Sequence, residues 1–192
     1  MRKILSTFCF LLVINACLMS QANFDFYPKS LQTELVKANG NNVELSELSI
    51  LPKLAISVKL GKFFKVADLT SFSPIKYVYV GRVKTCRAGG CSINNNVDDV
   101  QSEYFDYFIL YDVSCSIQRV KIYNYQATHG QEVTASNWLR QFKNYNGRRE
   151  LIVGQNVDAI SGATISVDAT TFDIEHKTKI LEQSLRNNTA KF

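Results

Sequence analysis

The sequence predicts a single α+β domain behind an export signal, and three features of the chain lead there. Segments 54–66, 75–83, 104–113 and 118–125 are rich in β-branched and aromatic residues, as strands are. Apolar residues at helical spacing occur at 28–36, at 135–143 and along the stretch that follows residue 164. No internal repeat, low-complexity run or linker divides the 192 residues.

The first 22 residues have the three parts of a secretory signal: Arg2 and Lys3, an apolar run from Ile4 to Ile14, and a short polar stretch. Ser20-Gln21-Ala22 places small residues third and first before a cut, so the mature domain would be 23–192, beginning at Asn23. Ile14-Asn15-Ala16-Cys17 resembles an imperfect lipobox in which Cys17 would be acylated. Asn15, Leu18 and Met19 fit that pattern poorly, so simple cleavage is favoured, with lipid anchoring at Cys17 the alternative. No later stretch approaches the ~20 apolar residues of a membrane span. The expected location is therefore the periplasm or the outer face of a bacterial membrane. Loss of Arg2 and Lys3 lowers the net charge from +5 to +3. Basic residues are scattered among acids, with Arg148-Arg149 the only tight pair, so no nucleic-acid partner is expected.

Along the mature chain, Pro28 with Leu31, Leu35 and Val36, closed by Asn39-Gly40, predicts a helix with proline in its first turn and glycine past its end. Strands are expected at Leu54 to Lys59, Lys62 to Val66 and Ile75 to Val83, with Pro74 at a strand start. Tyr104 to Val113 and Gln118 to Tyr125, separated by Ser114-Cys115-Ser116, predict a hairpin or a neighbouring antiparallel pair. Asn94 to Ser102 is a polar loop in which Asp98 and Asp99 are solvated. Trp138, Leu139 and Phe142 predict a helix with a packed aromatic face. Val167, Thr171, Ile174, Thr178, Leu181 and Leu185 step by four and three, which predicts a long helix with one buried stripe.

Three cysteines follow both cleavage points. Cys86 and Cys91 flank Gly89-Gly90 and suit a local disulfide in an oxidising compartment, leaving Cys115 reduced in or beside the sheet. A redox-active Cys86/Cys91 pair is the sharper alternative. There is no second cysteine pair and no nearby histidine, so no metal site is expected.

The segment Asp158-Ala-Ile-Ser161-Gly162-Ala163-Thr164 delivers a hydroxyl through a small turn to the first turn of the long helix. Gly162 can take positive φ, Ala163 adds no bulk, and first-turn N–H groups attract a phosphate. A macrodipole contributes only about 0.3 to 1 kcal/mol, too little to retain a cofactor in dilute surroundings, whereas a covalent bond would. An ordinary capped helix start is the plainer reading.

Asp158, Ser161, Gly162, Ala163 and Thr164 resemble the flavinylation motif of the FMN-binding domain family. That domain occurs in the C subunit of sodium-translocating NADH:quinone reductase and the G subunit of the Rnf complex. The resemblance spans about residues 75 to 185 and implies an antiparallel sheet with flanking helices. It also implies FMN joined through its phosphate to Thr164 by a flavin transferase. The family's upstream Glu-Thr-Pro-Gly loop is matched by Ala127-Thr128-His129-Gly130, which keeps the Thr-x-Gly frame and departs at Ala127 and His129. The resemblance places Thr128, His129 and Gly130 by the cofactor. His129 is either a proton donor to reduced flavin or a plain loop histidine. His176, between Glu175 and Lys177, is expected to be exposed.

The function expected is an exported flavoprotein passing electrons between membrane or extracytoplasmic donor and acceptor proteins, since the redox chemistry belongs to the cofactor. Neither a Rossmann glycine loop nor a nucleophile elbow is present, which disfavours a self-sufficient NADH dehydrogenase or hydrolase. The alternatives are a flavin-dependent reductase acting through Cys86 and Cys91, and a flavin-free surface module held by lipid at Cys17.

Overall fold

Five strands form one antiparallel sheet in simple sequential order, so each strand pairs with the one before it in the chain. The computed structural model describes residues 24–41, 43–55, 58, 60–67, 73–87 and 102–189. The strands are β1 (Glu44–Glu47), β2 (Gly61–Ala67), β3 (Tyr77–Arg87), β4 (Ser102–Tyr111) and β5 (Ile117–Tyr125). Helix α1 (Lys29–Asn39) precedes the sheet and a single turn, α2 (Pro52–Ala55), follows β1. After β5 come two 3-10 turns (Gln131–Thr134 and Arg140–Phe142) around α3 (Ser136–Leu139), and then α4 (Thr164–Thr189). The architecture is the α+β class that the sequence predicts.

Pro28 stands one position earlier than expected, at the cap of α1, where its carbonyl accepts from Leu31 and Gln32 at 2.9 and 3.2 Å. Gly40 ends the helix at φ +83°. Asn39 then exchanges two hydrogen bonds with the backbone of Ile75 at 2.9 and 3.2 Å, tying the helix end to the approach of β3. Leu31 and Leu35 bury against Phe64, Val66, Val78, Val80, Phe108 and Leu110 on one sheet face. Each such side chain contributes roughly 1.5 to 3 kcal/mol by leaving water.

The other face carries Phe63, Tyr79, Phe105, Tyr107, Ile109 and Tyr111. They pack under Val133, Trp138, Leu139, Phe142 and the inner side of α4. β4 lies between two strands and under two layers, so Phe105 to Tyr111 are buried without a break. The one charge among them, Asp106, accepts from Arg82 at 2.7 and 3.0 Å and from Asn124 at 2.7 Å. A buried carboxylate is tolerated only when paired in this way.

Two elements differ from expectation. Leu54 is helical: Leu51 accepts from Leu54 and Ala55 at 2.8 and 3.0 Å because Pro52 starts a helical turn, where its fixed φ and missing N–H are tolerated. β2 therefore begins only at Gly61. β1, polar and mostly exposed, was not expected, since it is an edge strand defined by pairing with β2 and not by an apolar pattern. At the β4–β5 turn, Asp112 Oδ1 accepts from the backbone of Ser114 and Ser116 at 2.8 and 3.0 Å. Cys115, at φ +61°, is a buried free thiol. Burial pushes that thiol up to about 11.

The export signal 1–22 with Cys17, the carboxylates Asp98 and Asp99, and Cys91 lie outside the described residues. Cys86 lies in β3, and its pairing with Cys91 is likewise outside them. Among the described residues, no helix is long and apolar enough to cross a membrane.

Candidate functional site

The approach to α4 is fixed by side chains from α3 and its following turn. Asp158 is held on both sides of its peptide, its N–H donating to Gln141 Oε1 at 2.7 Å and its carbonyl accepting from Trp138 Nε1 at 2.8 Å. Two residues later a four-residue turn closes from Ala163 N–H to the Ile160 carbonyl at 3.1 Å. Gly162 is third in that turn at φ +81°, a conformation that a β-carbon makes costly. No atom lies within 4 Å of where its β-carbon would be, so the constraint there is backbone conformation and the space above it is open.

Ala163 is buried in the core and occupies the cap position, its carbonyl accepting from Val167 N–H at 2.9 Å. Thr164 is therefore the first helical residue and is exposed. Alanine offers no side-chain oxygen to cap the helix. The N–H groups of Thr164, Ile165 and Ser166 find no backbone acceptor among the described residues, and Ser161 makes no capping bond. Three orphan donors beside an exposed hydroxyl suit a phosphate ester on that hydroxyl. The ordinary capped helix start does not describe this geometry, because the residue at the cap cannot cap.

The second candidate segment comes alongside. Tyr125 at the end of β5 donates to the His129 carbonyl at 2.6 Å and lies 3.1 Å from Ser166 Oγ, two residues beyond Thr164. Gly130 is at φ +82°, and a β-carbon there would collide with the Ser166 side chain. Thr128 Oγ1 donates to Glu103 of β4, and both Thr128 and His129 are exposed. The structure thus brings Gly130 against Ser166 at the start of α4 and links the His129 carbonyl to it through Tyr125, while Thr128 bonds to the sheet at Glu103. Glu103, Tyr125, Ser166 and Gln141 carried no sequence signal, since each is defined by a partner distant in the chain.

Three tyrosines set the position of α4 on the sheet. Tyr125 meets Ser166, Tyr107 donates to Asp173 Oδ2 at 2.5 Å, and Tyr111 lies 3.2 Å from Thr178 Oγ1. Asp173 also pairs with the buried Lys177 at 3.0 Å. Burial pushes the Tyr107 phenol well up, and the Asp173 charge adds to the effect, so Tyr107 remains a proton donor.

His176 is half-buried, where exposure was expected. Its ring stacks on Phe172 with centroids 5.8 Å apart and lines a groove beside residues 150–153. Burial and then the Lys177 charge push its imidazole down, favouring the neutral form. Among the described residues no cluster of His, Cys, Asp or Glu is arranged to hold a metal ion.

Residues 106–172, from the buried Asp106 to the exposed Phe172, match the model of the FMN-binding domain family. No curated protein matches the chain.

Proposed function

We propose that the chain carries FMN covalently on Thr164 and serves as an electron-transfer flavoprotein, a reading supported by the match of residues 106–172 to the FMN-binding domain model. The observation that carries the attachment point is the exposed Thr164 hydroxyl beside three N–H groups with no backbone acceptor. A flavin transferase would use FAD, the Thr164 oxygen displacing AMP to leave a phosphoester. Once bound, the isoalloxazine supplies storage for one or two electrons. The first-turn N–H groups would hold the phosphate, and Gly162, at positive φ with open space above it, leaves the turn clear of side chains. Gly130 and the His129 carbonyl border the same end of α4, and the exposed His129 is the candidate proton donor of that loop.

An export signal and an extracytoplasmic location, with donor and acceptor proteins at or outside the membrane, complete this reading. Co-expression with a flavin transferase tests it. Intact mass should rise by one FMN phosphoester in the wild type and not in Thr164→Ala, with peptide mapping placing the flavin on the motif. Equal covalent flavin in both proteins would refute Thr164 as the attachment point.

A further inference from the structure

Apolar side chains gather on the solvent side of α4, away from the sheet. Ile165 is 45 % exposed and Phe172 is 71 % exposed, and seven residues of separation put them on one face, two turns apart. Ile152, 36 % exposed, joins Phe172 in lining an open groove of about 440 Å³. Thr171 borders the same groove; it is 3 % exposed, and its hydroxyl has no hydrogen-bond partner among the described residues. Buried hydroxyls are rarely left so, and exposed aromatic patches mark interaction surfaces. The rim is acidic. Glu175 accepts from Leu151 N–H and pairs with Lys179, whereas Glu150 and Asp168 have no ion-pair partner among the described residues.

We propose that this groove is the docking surface for the redox partner of the flavin, and that the partner is a basic electron-transfer protein seating an apolar group beside Phe172. The inference rests on Thr164 as the attachment point. Ile165 follows that residue directly, and Asp168 lies one helical turn beyond it, about 6 Å along the axis. Electron tunnelling weakens steeply with distance, so a partner must cover surface adjoining the tether. An apolar centre rimmed by the carboxylates of Glu150 and Asp168 selects a partner whose own rim is basic, even though the mature chain as a whole carries +3. A groove of this size suits a small, transient interface.

Ferricytochrome c, a basic protein with an apolar haem edge, is the probe. It is titrated into the mature ¹⁵N-labelled chain as flavinylated wild type and as Thr164→Ala, which separates docking from flavin attachment. Amide shifts should centre on Ile152, Ile165, Asp168 and Phe172 in both proteins and weaken as salt is raised. Phe172→Ala and Asp168→Lys should each lower affinity about tenfold without changing the thermal midpoint. Docking by Thr164→Ala alongside a wild type that takes up no flavin would remove the flavin reading and leave the surface. Shifts absent from the groove, or a dimer of the chain that Phe172→Ala dissociates, would overturn the proposal.

Discussion

The two faces of the sheet are built from different materials. On the α1 face the contact is apolar throughout its centre, Leu31 and Leu35 meeting Phe64, Val78, Val80 and Phe108. On the α4 face the helix presents Ser166, Thr170, Lys177, Thr178 and Ser184 to the interior, all buried, interleaved with Val167, Ile174 and Leu181. Tyrosines of β4 and β5 answer three positions of that helix with directional bonds. Apolar contact is non-directional and supplies stability, whereas hydrogen bonds made between defined atoms fix orientation. The face that orients is also the one whose helix begins at the candidate attachment residue.

Thr164→Ala gives the largest contrast: covalent flavin should fall from full occupancy to none, while stability changes by no more than about 0.5 kcal/mol because the residue is exposed. Intact mass and thermal unfolding of the same sample read both. Leu31→Ala should do the reverse, costing about 2 to 5 kcal/mol while flavin per folded molecule stays constant. A parallel loss of loading would show that the two faces are not separable.

Tyr107→Phe leaves the half-buried Asp173 with Lys177 alone, and should cost about 1 to 3 kcal/mol in chemical denaturation. Gly162→Val places a β-branched residue at φ +81°, a strain of about 1 to 3 kcal/mol, and should reduce loading per folded molecule. The smallest effect concerns Cys115. Its thiol is raised to about 11 in the native state, from an ordinary value of 9.0, so the native state keeps the proton that the unfolded chain loses. That contribution is fully present below pH 9 and is lost as pH rises toward 11. Iodoacetamide should label Cys115 slowly at pH 8 and rapidly once the chain is unfolded.

Strands with residues that face a core were legible because burial on both sides of β4 leaves an unbroken apolar and aromatic run. The long helix was legible from its stripe, and the turn that starts it from Gly162, Ala163 and Thr164 in succession. β1 was not legible, because Glu44 to Glu47 carry no apolar alternation and become a strand only through pairing with β2. Leu54 misled because its β-rich neighbourhood outweighed Pro52, whose preference for a helical first turn prevailed. Site residues contributed by pairings across 20 or more positions, such as Glu103 with Thr128, are invisible to local pattern. His176 looked exposed because its neighbours are charged, while Phe172 one turn earlier supplies the ring it stacks on.

The three tyrosine contacts make α4 behave as a keyed shaft in a lock. Ser166, Asp173 and Thr178 each meet a tyrosine fixed in the sheet, so a residue inserted between 166 and 178 cannot satisfy all three. Either the later keys disengage or the first turn swings by about 100°, one residue's share of a 3.6-residue turn, carrying Thr164 away from the loop at Gly130. The reading frame of this helix is thus copied into the direction in which its first hydroxyl points. A residue inserted beyond Thr178 would leave these three contacts in register and would instead displace the buried Ile180, Leu181 and Ser184.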